Sequence, residues 1–358
     1  MTLFIHTVPT WLGLVSFAFA FAVLLFRLPA FAPPTLLVLQ NDRIFSPGIW
    51  RLFIAALGVI ALTSVGDLFM RAAETGTPLF PQVMPALSRL LLRTDYGNIW
   101  LVRLACLLLL FILAEMKRER DAPLGRYLMF MLAMVLAWTE SASGHAAENG
   151  HFALKEMLLT IHLVAVSAWG GGVIALAFVI LPFFKRQADI IRIVAITRRF
   201  SHLAGYAVGF VLLTAVYNLR MYVGEFPNLW KTTYGLTVLA KMVLLYVLLL
   251  LGALNRYLSL PLLEHVAGGR FEGRGLILQL INRVLAGVRG HISLYVMSIY
   301  RRMVTAEAVL ILAALLCAAL LTHQTPPRRV DPAKHESQVR PGTVVAQSGQ
   351  AASFTKAQ

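Results

Sequence analysis

The chain has 358 residues, of which 58% are hydrophobic and only 14% charged, with a mean hydropathy of +0.73. A soluble protein carries roughly 25% charged residues, and this much apolar surface cannot be hidden in an aqueous fold, so a soluble enzyme or a DNA-binding protein is excluded. The formal charge of +15 then reports topology and lipid headgroups rather than nucleic acid, and Cys106 and Cys317, each inside an apolar run, make no disulfide framework.

A membrane crossing needs about 20 mostly apolar residues. Eight segments qualify, at roughly 8–27, 50–70, 98–115, 127–143, 157–184, 202–222, 233–255 and 304–321. The first has no Lys or Arg before it and is followed by Arg27, which reads as an uncleaved helix with its N-terminus outside. Eight crossings from that start place nineteen Lys and Arg in the inner loops and six in the outer ones. That bias is the one expected for an all-α polytopic membrane protein with both termini outside. Within the long inner loop 258–303, apolar residues at helical spacing from Ile277 to Val288 predict an amphipathic interfacial helix over about 274–300. The polar, proline-containing stretch 322–358 reads as a disordered outer tail.

The sequence repeats internally. Arg93-Thr94-Asp95-Tyr96-Gly97 precedes Arg103 by the same interval at which Lys231-Thr232-Thr233-Tyr234-Gly235 precedes Lys241. Gly58, Thr63, Val65, Asp67 and Leu68 align without gaps to Gly209, Thr214, Val216, Asn218 and Leu219. Ile5-His6 and Ile161-His162 open the first and fifth spans. Two four-helix halves follow, 1–143 and 144–321. With four spans each, the halves run parallel, related by an axis along the membrane normal, with a site expected between them.

Ionisable groups inside spans are costly and mark candidate sites. His145 and His151 share a Gly-containing loop, His162 follows early in the fifth span, and His6 opens the first, all on the outer side. Imidazole ligates copper, zinc, iron or nickel, so these four are the candidate metal ligands, although their spacing alone names no metal. His162 and Trp169, seven apart, share a helix face. Arg103 and Lys241 are repeat-equivalent cations that either line an anion-attracting cavity, hold a haem propionate, or snorkel to headgroups. Asp67, Asn218, Tyr96 and Tyr234 either complete a pathway or support it structurally, and His323 and His335 read as solvated. No nucleophile–base pair, P-loop or dinucleotide fingerprint is present, so neither an enzyme nor an ATP-driven pump is expected.

Several ordered motifs resemble those of the copper resistance D (CopD) family: Gly144-His145, Ile161-His162, Ala168-Trp169-Gly170-Gly171, Arg199-Phe200-Ser201, Asn255-Arg256 before Pro261, Ala306-Glu307-Ala308 and Thr325-Pro326-Pro327. The Tyr-Gly segments before Arg103 and Lys241 fit as well, and the resemblance covers about 90–327. It implies an eight-span protein of the bacterial cytoplasmic (inner) membrane that moves copper inward. It further implies His145 and His162 as matched ligands and a separate periplasmic copper-binding partner of the copper resistance C type. Two other readings stand beside transport: a haem-b-binding redox protein, and a scaffold that delivers copper without moving it across the membrane.

Overall fold

The computed structural model describes residues 2–28, 45–74, 80–116, 121–143, 154–183, 190–266 and 292–327. The described residues form helices and turns, with no strand among them. In chain order these are α1 (Thr2–Arg27), α2 (Phe45–Glu74), α3 (Phe80–Arg93), α4 (Asp95–Glu115), α5 (Pro123–Ala142) and α6 (Leu154–Phe183). They continue with α7 (Ile190–Tyr222), the short α8 (Asn228–Lys231), α9 (Thr233–Leu254) and α10 (Ile292–Thr322). A helix crosses the apolar layer because every backbone N–H and C=O is satisfied within it. Two π turns, Ser167–Gly171 and Leu176–Ile180, interrupt α6, and a third, Asn255–Ser259, carries α9 on into Leu260–Val266.

Among the described residues seven helices are long and apolar enough to cross a membrane. The fourth predicted span, 127–143, is not among these seven; its residues lie in the 20-residue helix α5, about 30 Å long. It is less apolar than the other seven because Arg126 lies near its start and Thr139-Glu140-Ser141 near its end. The predicted interfacial segment 274–300 falls outside the described residues up to 291, and from Ile292 onward it is the start of α10. Helix α3 has no counterpart in the span assignment. It is strongly amphipathic, contains Pro85, and is too short to cross.

Packing positions the polar groups. Helix α1 lies at the centre, against α2, α5, α10 and the first π turn of α6. The centre is apolar, with Phe21, Phe53, Leu57, Leu110, Met129 and Leu176 buried. Lipid is as apolar as leucine, so helices associate here through close contact rather than water exclusion. Gly171 shows how close: a β-carbon there would sit 1.9 Å from the Ala18 carbonyl oxygen.

The repeated segments fold alike. Thr94 (φ −127°, ψ 151°) and Thr232 (φ −121°, ψ 148°) are the N-caps of α4 and α9, and their hydroxyls accept from the N–H groups of Gly97 at 3.1 Å and Gly235 at 3.0 Å. Each glycine touches the carbonyls of the preceding short helix, so that a β-carbon would meet Leu91 O at 2.3 Å or Asn228 O at 2.0 Å.

Candidate functional site

The polar side chains gather at both ends of the bundle and at two levels inside it. At one end, Arg27 pairs with Asp121 and lies over the Trp50 ring at 4.5 Å, while Arg126 donates to the Asp121 carbonyl. At the other end lie His6, Thr10, Asp67, Arg71, Tyr96 and His323.

His6 and His323, from the first and last helical segments, approach with ring centroids 5.6 Å apart at 51°. The Thr10 hydroxyl donates to the His6 carbonyl at 3.0 Å and therefore accepts from His323 Nε2–H at 2.9 Å. That fixes the His323 tautomer with its Nδ1 lone pair free. His323 is half-buried, not solvated as the sequence suggested, because α10 runs back along α1 as far as the indole of Trp11, which donates to the Leu312 carbonyl at 2.9 Å. Burial foremost, then the neighbouring His6 ring, hold the His323 imidazole below its ordinary range. Arg71 adds to this, and Asp67 and the His6 carbonyl oppose it.

His162 uses the same device deeper in the bundle. Thr214 donates to the Phe210 carbonyl at 2.6 Å, so its oxygen accepts from His162 Nδ1–H at 2.8 Å. Nε2 keeps its lone pair. A ligating histidine generally has its other ring nitrogen held in this way, which orients the ring and raises its basicity. Lys241 lies within electrostatic range of both His162 and Cys317. Among the described residues it has neither an ion-pair nor a hydrogen-bond partner. Thr214 was visible in the sequence only as the repeat partner of Thr63, which bonds the Val59 carbonyl and packs against Gly13.

Several of the remaining sequence-derived candidates have structural partners of their own. Arg103 is buried, with its Nε donating to Thr139 Oγ1 at 3.3 Å and its Nη2 engaged by the Thr139 carbonyl at 2.8 Å, Ser143 at 3.0 Å and Glu140 at 3.0 Å. Asp67 accepts from Tyr96 at 2.8 Å and Arg71 at 3.0 Å, and the Arg71 guanidinium covers the Tyr96 ring. Asn218, its repeat partner, has Oδ1 buried without a hydrogen bond among the described residues. Tyr234 is buried with Val223 and Leu229 in a separate apolar cluster. Trp169 is buried in the first π turn of α6. His145 and His151 lie outside the described residues. No three His, Cys, Asp or Glu side chains converge among the described residues, so the histidines offer paired or single donors there.

Comparison with known proteins bears on this arrangement. Two family models match: "Copper resistance protein D-like, N-terminal domain" over residues 1–153, and "Copper resistance protein D" over residues 194–321. The copper transport protein CutJ of Bacillus subtilis (strain 168) is 30% identical over 174 residues, which is 47% of this chain and 32% of that protein. The inner membrane protein YebZ of Escherichia coli (strain K12) is 26% identical over 257 residues, 70% of this chain and 85% of that one. Copper resistance protein D of Pseudomonas syringae pv. tomato is 25% identical over 223 residues, 59% of this chain and 68% of that one. The chain thus spans about a third of the length of CutJ and most of the other two. No solved structure matches.

Proposed function

We propose that this chain, which belongs to the copper resistance protein D family, carries copper ions inward across the bacterial cytoplasmic membrane as part of copper homeostasis. It acts as a carrier and not as an enzyme, and copper is its cargo. The observation that carries the reading is the pair of threonine-held imidazoles, His323 and His162, each with one lone pair left for a metal. Soft, low-coordinate copper accepts such sparse nitrogen donors more readily than ions that demand a full oxygen shell. His6 and His323 form the outer capture pair, and the sequence offers His145 and His151 as further donors. His162 receives the ion at the next level, between the two four-helix halves.

The same reading sets the topology. His6 near the start of α1 touches His323 just past α10, so the chain enters and leaves the bundle at one end. This supports an even number of crossings, with α5 as the eighth. The end rich in Arg27, Arg126 and Asp121 faces the cytoplasm, and both termini face the periplasm. A separate periplasmic copper-binding protein of the copper resistance C type delivers the ion to the histidine end.

Copper uptake by proteoliposomes of the purified protein tests this. Wild type accumulates copper and binds it near stoichiometry. His162→Ala loses uptake, and His323→Ala weakens capture at low copper. Uptake equal to that of empty liposomes, or full uptake in the His162→Ala protein, removes the reading.

A further inference from the structure

We propose that Glu307 is a proton-binding site inside the membrane bundle, a carboxyl that holds a proton against Asn255 and exchanges it with water during the transport cycle. Glu307 is 7% exposed, in the span Val296–Thr322. An intramembrane carboxylate needs a partner for its charge or a proton to remove it.

The partner here is an amide. Asn255 Nδ2 donates to Glu307 Oε1, while Asn255 Oδ1 is buried and has no hydrogen bond among the described residues. The neutral acid resolves this geometry. A proton on the second carboxyl oxygen donates to Oδ1 and closes an amide–acid ring in which every polar atom is satisfied. The ionised carboxylate instead sets acceptor against acceptor and leaves the orphan in place. Asn255 is also the first residue of a π turn, an irregularity that often accompanies functional positions in helices.

No cation competes for Glu307 among the described residues. Arg256 on the same π turn donates to the Ser201 carbonyl at 2.7 Å. Lys241 is fourteen residues before Asn255 on α9, about 21 Å along the axis. On α1, Arg27 is paired with Asp121, and beyond the π turn Glu264 is paired with Arg198. On α10 itself Arg301 and Arg302 are exposed. The titratable group facing Glu307 is Tyr300, two turns away on the same face, whose hydroxyl bonds Thr197 at 3.0 Å. This pair offers a hydroxyl route from the carboxyl toward the Arg301 end.

The step is a proton transfer alone. The Glu307 O–H bond breaks, the proton passes to a water at one face, and the carboxylate remains until a hydronium from the other face restores the acid. Its coupling to copper rests on the transport reading, whereas the proton site itself does not.

Infrared difference spectra of the full-length protein in lipid, wild type minus Glu307→Gln, test the site. A protonated-carboxyl carbonyl band at neutral pH, shifted in heavy water and absent from the variant, is expected. Spectra without that band overturn the proposal. Should the variant not fold, the wild-type band is followed by its reaction with dicyclohexylcarbodiimide, with the adduct mapped by mass spectrometry. An adduct on Glu307 supports the site, and an unmodified Glu307 with no band overturns it. In proteoliposomes, Glu307→Gln is expected to bind copper with unchanged affinity while the proton flux accompanying uptake is lost. Copper uptake without proton movement overturns the coupling alone, and absence of all copper uptake beside a clear carboxyl band overturns the transport reading alone.

Discussion

Thr214, its own proton committed to the Phe210 carbonyl, accepts from His162 Nδ1–H, and on the transport reading the Nε2 lone pair this leaves is the one offered to copper. Thr214→Val removes the acceptor at nearly constant volume. Loss of such an outer partner weakens metal affinity by about 10- to 100-fold, which competition with a copper(I) chelator measures, and Thr214→Ser retains the affinity. On the same reading Lys241, within electrostatic range of His162, opposes an incoming cation, so Lys241→Met is expected to raise copper affinity by about three- to tenfold at unchanged stoichiometry. An unchanged affinity would place the ion elsewhere. His162 was legible in the sequence because it stands alone in an apolar run after a histidine-bearing loop. His323 was not, since it follows the last apolar run and is brought beside His6 by its bond to Thr10 across 313 positions, which no local pattern encodes.

The helix starts at Thr94 and Thr232 were readable as repeats, and the structure gives their physical reason: a threonine cap and a glycine pressed on a carbonyl, twice. Gly235→Ala therefore destabilises the protein by about 1–3 kcal/mol, the range for forcing a methyl group into a packed contact. Gly209→Ala, where nothing lies within 4 Å, is the neutral control, and denaturant unfolding in detergent compares the two. The π turns of α6 and α9 carried no sequence signal, because one extra residue in a helical turn leaves composition and hydropathy unchanged. Helix α3 escaped the span assignment for another reason, its apolar residues being too few for a crossing and interrupted by Pro85.

Across the whole molecule, composition alone dictated an all-helical membrane protein, while the number of crossings turned on α5, whose polar ends lower its hydropathy without shortening it. Single cysteines at Thr2 and Thr325, with both native cysteines replaced, decide the matter by labelling with an impermeant maleimide. Both are expected to react from the periplasmic side of spheroplasts, and reaction from opposite sides would require an odd number of crossings. The candidate site was only half legible for a related reason. Its histidines are recognisable one at a time, but which of them meet depends on how the first helix packs against the last.

The bond from the Trp11 indole to the Leu312 carbonyl closes a separation of 301 positions. A ribosome adds roughly 5–20 residues per second, so α1 waits about 15–60 s in the bilayer before its final neighbour is synthesised. Through that interval its indole N–H and His6 ring have no partner from α10, and the newborn bundle stands open along one side. Maturation of this protein thus ends with a seam being sealed. Nascent chains arrested before residue 300 should remain open to proteases and lipid-phase probes along α1, and released full-length chains should not.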